Sequence, residues 1–328
     1  MVTTTPMKDR REFLTTATLA AAGAALAPLA ACNRESAAAA PGAITLATAG
    51  TRDGTLLKRA IPSTGEQIPV IGLGTSDTFE VGDDSDARNA LQEVLAMFAG
   101  AGATVIDTAP TYTSAEDVLG DLVAAQKLRD RLFLATKLSG VTGRDAGLAQ
   151  FRESLRRLRT DKVELLQVHN LQDTGTQFAV ARELKQQGLT RYVGLTHYRE
   201  GAQKELAQEM RKHKPDFVQI NYSPVSRGAE QAILPVAKDL GIAVMINRAF
   251  EDGRLFDMVR DKPVPAWAKD VGAASWAQLF LKFVLAPDAV TVVIPATSKP
   301  KHQRDNLQAG IGPMLDAKQR AALVAALG

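Results

Sequence analysis

Short apolar segments alternate with amphipathic helical segments through most of the chain, and this alternation restricts its fold more than any other feature. Strands that are apolar throughout, each followed by a helix, predict a parallel sheet covered by helices. Eight such strands predict an α/β protein with a single closed (β/α)8 barrel. No Gly-x-Gly-x-x-Gly turn follows a strand, which disfavours a Rossmann sheet. The predicted strands cover residues 70–74, 104–106, 132–136, 163–168, 192–195, 217–220, 243–246 and 290–294.

The helices are predicted from apolar residues that recur at helical spacing. Gly188 is the expected stop after the helix over 178–187. Residues 57–61 and 67–70 flank a Ser-Thr-Gly-Glu turn and predict a small hairpin at the bottom of the barrel. The other predicted helices cover residues 85–100, 114–126, 148–158, 201–212, 229–240, 275–285, a short segment from Pro300, and 316–327.

The composition is that of a large globular domain. The chain has 328 residues, of which 45% are hydrophobic and 23% charged, with a formal net charge of +3. No basic stripe carries interleaved aromatic residues, so nucleic acid is not an expected partner. The single cysteine, Cys32, excludes an internal disulfide and a cysteine metal site. No metal is expected at the widely spaced histidines His169, His197, His213 and His302.

Residues 1–31 are predicted to be an export signal. Lys8, Arg10 and Arg11 form a charged start, and no charge follows from Phe13 to Ala31. A transmembrane helix is the alternative, but the Ala-rich segment is only mildly apolar and ends in small residues, which favours a cleaved signal. The sequence Arg-Arg-Glu-Phe-Leu at 10–14 resembles the twin-arginine export motif, so we expect a periplasmic protein.

Cys32 follows Leu-Ala-Ala, which resembles the lipobox of bacterial lipoproteins. Lipid on Cys32 is therefore the one membrane attachment that we expect; the alternative is an ordinary cleavage site with an unmodified cysteine. Residues 32–54 are rich in Ala, Pro, Gly, Ser and Thr and predict a flexible tether. The barrel domain is expected over residues 55–328.

Residues 104–120 place a carboxylate and a phenol where a strand passes into a helix. Asp107 ends the predicted strand, Tyr112 lies on the loop, and Thr113 or Ser114 is a candidate N-cap of the next helix. Ligands of α/β proteins bind at such strand ends. The alternative is an Asp that forms a turn and a Tyr on the surface.

Two further ionisable residues end neighbouring strands. Lys137 follows the third predicted strand and His169 the fourth. The C-terminal ends of neighbouring barrel strands converge, so we expect Asp107, Tyr112, Lys137 and His169 at one mouth of the barrel. Burying four ionisable groups together is costly unless they have a function.

These motifs and their order resemble the aldo-keto reductase superfamily over about residues 56–309. The resemblance implies a (β/α)8 barrel that uses NADPH or NADH to reduce carbonyl groups. The matching motifs are IGLGT (71–75), IDTAPTY (106–112), ATK (135–137), LLQVH (165–169), VGLTHY (193–198) and IPATSKPKHQRDN (294–306).

The resemblance implies a catalytic role for each of the four residues. Tyr112 would be the general acid, and Lys137 would favour its ionised form. Asp107 would hold Lys137 by an ion pair, and His169 would donate a hydrogen bond to the carbonyl oxygen. The nicotinamide would supply the hydride.

The resemblance also implies the residues that bind the cofactor, with NADP preferred and NAD left open. Ala296, His302, Asn247, His197 and Ser76 depart from common family residues and suggest an open, less aromatic pocket, so no substrate is carried over. The implied cofactor-binding residues are Thr75, Asp107, Thr196, His197, Gln219, Asn247, Arg248, Thr297, Ser298, Lys299, His302 and Asn306.

Two functions follow from these observations. The first is reduction of an aldehyde or ketone, or oxidation of the alcohol, by an exported enzyme whose partner is a small molecule. The second is a membrane-tethered, dinucleotide-binding sensor with little turnover, because no supply of reduced nicotinamide is evident outside the cytoplasm. The complete set of four ionisable residues favours the enzyme. The oligomeric state is left open.

Overall fold

A parallel eight-stranded sheet forms the centre of the computed structural model, which describes residues 54–328. The predicted export signal, Cys32 and all of the predicted tether but Gly54 lie outside the described residues. The strands are β1 Lys58–Ala60, β2 Gln67–Pro69, β3 Leu73–Gly74, β4 Val105–Asp107, β5 Phe133–Leu138, β6 Val163–His169, β7 Thr190–His197, β8 Phe217–Asn221, β9 Ala243–Asn247 and β10 Val290–Val293.

Strands β3 to β10 pair in chain order, each parallel to the next. Parallel bridges from Ile71 to Val293 and from Gly74 to Ala296 join the first and last strands of this sheet. The sheet is therefore a closed (β/α)8 barrel, as the sequence predicts. The first barrel strand is shorter than the predicted 70–74, because only Leu73 and Gly74 make regular ladder pairs with β4.

The antiparallel hairpin β1–β2 covers the bottom of the barrel. Arg59 donates to the carbonyls of Leu285, at 2.6 Å, and Pro287, at 3.1 Å, on the segment that leads into β10. Ile61 is fully buried against the apolar residues that begin the barrel strands, among them Phe133 and Phe217. The hairpin thus closes the end of the barrel opposite to the C-terminal ends of its strands.

Helices follow the barrel strands and cover the sheet. Their apolar faces pack on the outer residues of the strands in one continuous core. The α-helices are α1 Ser85–Gly100, α2 Ala115–Ala125, α3 Arg144–Arg157, α4 Thr174–Gln186, α5 Gln203–His213, α6 Ala229–Ala232, α7 Leu234–Leu240, α8 Arg254–Met258, α9 Trp276–Leu285, α10 Pro300–Gln308 and α11 Ala317–Leu327. Short 3₁₀ helices cover Arg129–Arg131, Glu200–Ala202, Glu251–Gly253 and Ala266–Val271.

Some helix boundaries differ from the prediction. The predicted helix over 229–240 is two helices, α6 and α7, divided at Ile233, and Pro235 stands in the first turn of α7. Proline lacks the N–H that would continue a helix, which explains the break. Helix α4 begins at Thr174, earlier than the predicted 178. The segment after β9 contains α8 and two 3₁₀ helices that the sequence pattern did not predict.

The predicted N-cap of α2 is wrong. Ser114 precedes the helix with a near-helical ψ of 1°, and its side chain makes no capping hydrogen bond. Its Oγ instead accepts from the Gly82 N–H at 3.0 Å, and the Thr113 hydroxyl donates to Glu80 at 2.8 Å. Both hydroxyls therefore fix the loop after β3 against α2. No helix in residues 54–328 is long and apolar enough to cross a membrane.

Candidate active site

A cavity of about 620 Å³ opens at the C-terminal ends of the barrel strands. This is the end of the barrel where the sequence placed the four ionisable residues, and three of them line the cavity. The predicted residues in its lining are Thr75, Asp107, Tyr112, His169, Thr196, Gln219, Asn247 and Arg248. Over residues 54–328, no group of His, Cys, Asp or Glu side chains is arranged to hold a metal ion.

Lys137 lies beneath the cavity as the fully buried partner of Asp107. Its Nζ donates to Asp107 Oδ2 at 2.6 Å and to the Thr108 carbonyl at 2.7 Å. Burial alone would lower the pKa of Lys137, but the negative charge of Asp107 and its contacts with Tyr112 raise the pKa above the ordinary value. Lys137 is therefore a cation at neutral pH, in the position that the sequence predicted.

The second carboxylate oxygen of Asp107 is held by two glutamines. Gln167 donates to Oδ1 at 2.9 Å and Gln219 donates to it at 2.8 Å. Sequence reasoning gave Gln167 no role, although it is a polar residue inside strand β6, two positions before His169. Side chains two apart in a strand share a face. That spacing is the signal that would have placed Gln167 inside the barrel near Asp107.

Tyr112 reaches the same cavity from the loop after β4. The centre of its ring lies 5.0 Å from Lys137 Nζ. Burial raises the pKa of Tyr112 above its ordinary value of 10.0, although the charge of Lys137 acts to lower it. The expectation that Lys137 favours the ionised phenol is therefore correct in direction, but burial outweighs it. Tyr112 holds its proton at neutral pH and has one to give.

His169 stands edge-on to Tyr112, with their ring centres 6.2 Å apart. Its Nδ1 lies 2.6 Å from the Ser139 hydroxyl. Burial, and then the charge of Lys137, lower the pKa of His169 to about 3. The imidazole is therefore neutral across the physiological range, so it can orient a ligand by a hydrogen bond but is not an acid at pH 7.

Two of the predicted cofactor-binding residues donate hydrogen bonds to a third, Gln219. Thr196 donates to Gln219 Oε1 at 3.3 Å, and Asn247 donates to the same oxygen at 3.1 Å. Thr75 donates to the Asp107 carbonyl at 3.1 Å from the other side of the cavity. Arg248 forms an ion pair with the neighbouring Asp252.

His197, which was predicted to bind the cofactor, lies outside the cavity lining. Its Nδ1 accepts from the Arg199 N–H at 3.0 Å, and its ring stacks on Tyr198 with centres 5.8 Å apart. Its two neighbours in the chain, Thr196 and Tyr198, line the cavity. Arg199 and Arg248 contact the Tyr198 ring, with 5.3 and 5.5 Å between guanidinium carbon and ring centre.

The predicted phosphate-binding residues lie beyond Ala296, where the cavity lining ends. They belong to the segment that enters α10 and to its first turns. The Thr297 hydroxyl accepts from the Lys299 N–H at 3.1 Å, and no side chain caps α10. Free N–H groups at a helix start attract phosphate. The predicted residues in this segment are Thr297, Ser298, Lys299, His302 and Asn306.

Aromatic side chains that the sequence analysis did not place at the site line part of the cavity. Tyr198, Phe250 and Phe256 line the cavity together with Tyr112. Phe250 and Phe256 come from the segment after β9, and their ring centres are 5.1 Å apart. The prediction considered the residues at strand ends alone, so it missed aromatic residues supplied by a long connection.

A sequence profile described as the Aldo/keto reductase family matches residues 70–327. The chain belongs to the aldo/keto reductase family. The match includes every barrel strand and Asp107, Tyr112, Lys137 and His169, so it confirms the resemblance that the sequence motifs carried.

Individual family members resemble the chain over most of its length. The aldo-keto reductase str7 of Strobilurus tenacellus is 29% identical over 276 residues, which are 72% of this chain and 80% of str7. The methylglyoxal reductase YeaE of Escherichia coli is 29% identical over 247 residues, 73% of this chain and 84% of YeaE.

A solved structure extends the likeness to three dimensions. The aldo/keto reductase from Klebsiella pneumoniae, crystallised in complex with NADP and acetate, superposes with a TM-score of 0.64 and 28% identity. The alignment covers 79% of this chain and 91% of that protein. The likeness supports the closed barrel.

Proposed function

We propose that this aldo/keto reductase reduces an aldehyde or ketone with NADPH, with Tyr112 as the general acid. One observation carries the proposal: a buried Lys137–Asp107 ion pair lies beneath a protonated Tyr112, beside a neutral His169, in one cavity. These are a proton donor, a cation to stabilise its conjugate base, and a hydrogen-bonding group to position an oxygen.

The residues in the cavity fit a nicotinamide cofactor. Oδ1 of Asn247 is buried without a hydrogen-bond partner, although its Nδ2 is bonded to Gln219. A buried acceptor without a partner is costly, and the amide N–H of a carboxamide would satisfy it. Asn247, Thr196 and Gln219 would hold that amide. The uncapped start of α10 would take the phosphates, as the family resemblance implies.

Lysines near α10 favour NADP over NAD. Lys299 and Lys301 stand at the start of the helix, beside His302 in the position where the family resemblance places an Arg for the 2′-phosphate. Burial, and then the positive charges of Lys299 and Lys301, lower the pKa of His302. His302 is therefore neutral at pH 7 and does not replace the charge of the arginine. The lysines supply the charge that a 2′-phosphate requires. The Klebsiella pneumoniae relative with bound NADP supports the same cofactor.

The mechanism divides the roles among the residues of the cavity. When bound, NADPH supplies a hydride to the carbonyl carbon. Tyr112 donates its proton to the carbonyl oxygen as negative charge develops there. The nearby cation Lys137 stabilises the phenolate that remains, and Asp107 keeps Lys137 in place. His169 donates a hydrogen bond to the same oxygen and orients the carbonyl group.

A small aldehyde is the first substrate to test, because the Escherichia coli relative is a methylglyoxal reductase. The purified protein would be mixed with NADPH or NADH and with methylglyoxal, para-nitrobenzaldehyde and simple ketones. We expect cofactor oxidation that depends on the carbonyl and is faster with NADPH. Tight NADPH binding with no turnover on any carbonyl would contradict the reductase and support the dinucleotide sensor.

We also propose that the protein is exported through the twin-arginine route and attached by a lipid on Cys32. The Arg-Arg motif and the lipobox-like sequence support this location. Replacing Arg10 and Arg11 by Lys should keep the precursor in the cytoplasm, and mature protein outside the cytoplasm would contradict export by that route. Cys32→Ser should release the protein from the membrane fraction, so unchanged membrane association would refute lipidation.

A further inference from the structure

The orientation of His169 depends on Ser139, a residue to which the family resemblance assigns no role. Ser139 comes directly after β5 and is 6% exposed. Its hydroxyl is 2.6 Å from Nδ1 of His169. Because Ser139 occupies Nδ1, Nε2 is the ring nitrogen of His169 that is available to a ligand in the cavity.

The backbone around Ser139 is fixed by one side chain of helix α3 and one side chain of the loop after β6. The Ser139 N–H donates to Gln150 Oε1 at 2.8 Å, and Gln150 Nε2 donates to the Ser139 carbonyl at 2.6 Å. The next residue, Gly140, has a φ of +73° and donates its N–H to Gln172 at 3.1 Å. Three hydrogen bonds therefore hold the segment, and they place the Ser139 hydroxyl against the imidazole.

Thr111 provides a second hydroxyl contact to Ser139, in which either hydroxyl can be the donor. Thr111 directly precedes Tyr112 in the chain, and its Oγ1 lies 3.1 Å from the Ser139 Oγ. A hydroxyl has one proton to donate and can also accept. When Thr111 donates to Ser139, the Ser139 proton is directed to Nδ1 of His169. A neutral imidazole then carries its own proton on Nε2.

We propose that Ser139 is a positioning residue that holds His169 as the Nε2-protonated tautomer, with Thr111 completing the chain of hydrogen bonds. The inference rests on the proposed carbonyl reduction, in which the Nε2–H donates to the substrate oxygen. The opposite tautomer would direct a nitrogen lone pair at that oxygen, which would repel the developing negative charge.

The tautomer can be measured without any enzymatic activity. The full-length protein would be prepared with isotopically labelled histidine, and long-range proton–nitrogen correlation spectra would identify the protonated nitrogen of each ring. The chain has four histidines, and His169→Gln assigns the signal. We expect Nε2–H in the wild type, and a mixture of tautomers in Ser139→Ala. Nδ1–H in the wild type, or unchanged Nε2–H in Ser139→Ala, would overturn the proposal.

Thr113→Val is the matched control, because Thr113 is on the same loop but bonds Glu80 instead. It should leave the His169 spectrum unchanged, whereas Thr111→Val should shift part of the population. An equal shift in the Thr113 variant would overturn the specific role of Ser139. Thermal unfolding of each variant would establish that the compared proteins are folded.

Kinetics with NADPH and para-nitrobenzaldehyde provide the second readout. Ser139→Ala should lower kcat by about tenfold, with KM and NADPH affinity unchanged, because the lost hydrogen bond acts in the transition state. An unchanged kcat, or a change confined to KM, would overturn the proposal. If the wild type reduces no carbonyl, the proposed function fails, and the tautomer spectra alone decide the role of Ser139.

Discussion

Lys137 Nζ lies 2.6 Å from Asp107 Oδ2, and the two side chains are 0% and 4% exposed. A buried ion pair of this kind is costly to form and more costly to break, since removal of one partner leaves an unpaired charge without water. The pair also raises the pKa of Lys137, so the cation persists beneath Tyr112. This contact links the stability of the barrel to the chemistry of its cavity.

Removing the cation should destabilise the protein. Lys137→Met is expected to lower the free energy of unfolding by about 3–5 kcal/mol, because the buried Asp107 side chain loses its ionic partner. Urea unfolding followed by circular dichroism measures this. The double variant with Asp107→Asn should recover part of the loss, as it removes the unpaired charge. A single-variant loss below about 1 kcal/mol would contradict the argument.

Removing the phenol should separate chemistry from binding. Tyr112→Phe keeps the ring over Lys137 but has no proton to donate. We expect kcat to fall by about 100-fold to 10,000-fold, the usual contribution of a general acid. NADPH affinity, measured by fluorescence titration, should change by less than about twofold. Substantial remaining activity would mean that another group protonates the carbonyl.

The pH dependence of reduction should be flat around neutrality. Because the pKa of His169 is lowered to about 3, His169 stays neutral at every pH above that value and contributes no change near its ordinary 6.5. Because the pKa of Tyr112 is raised, the acid is lost only above about pH 10. We therefore expect kcat/KM for para-nitrobenzaldehyde to be constant from about pH 5 to pH 9. A titration near 6.5 that His169→Gln removes would refute this assignment.

The two glutamines on Asp107 allow a matched comparison. Gln167→Leu and Gln219→Leu each remove one hydrogen bond to Asp107 Oδ1, so each should cost about 1–3 kcal/mol in the free energy of unfolding. Gln219 lines the cavity and also contacts Thr196, so its replacement alone should weaken NADPH binding. Equal NADPH affinities in the two variants would contradict a cofactor role for Gln219.

Gly120 is predicted to be essential for packing between α2 and α3. A Cβ on Gly120 would lie 2.1 Å from the Arg157 carbonyl oxygen. Because that oxygen belongs to the backbone, one of the two helices would have to move to relieve the clash. Gly120→Ala should destabilise the protein by about 3 kcal/mol or more. The control is Gly100→Ala at the end of α1, where a Cβ meets nothing within 4 Å, and it should be neutral or slightly stabilising. Similar unfolding midpoints for both variants would refute the packing argument.

Most of the barrel could be predicted from sequence because its elements follow local rules. Apolar strands and amphipathic helices have periods that are visible in the chain, and the strand ends at Asp107 and His169 agree with the structure. The helix break at Ile233 and the N-cap of α2 were harder to predict from the sequence. Ser114 failed as an N-cap because the loop that holds Gly82, which is distant in sequence, takes its hydroxyl.

The candidate site was predicted only in part, for a related reason. Asp107, Lys137 and His169 lie at the C-terminal ends of neighbouring strands and Tyr112 lies on the loop after β4, so parallel topology brings them together. Gln167 and Ser139 act through contacts 60 and 30 residues away, and no short-range pattern reports them. Phe250 and Phe256 enter the cavity from a connection whose course depends on what it packs against.

The sequence by itself determined which chemical groups the protein has and in which order the barrel presents them. Strand periodicity and the order of elements are properties of the chain, so the placement of Asp107, Lys137 and His169 on neighbouring strands followed from them. Only the tertiary structure decided the protonation of those groups. Burial raises the pKa of Tyr112 and lowers that of His169, and the depth of burial depends on every element packed around the cavity. Desolvation is a property of the assembled barrel, so it has no signature in a local stretch of sequence.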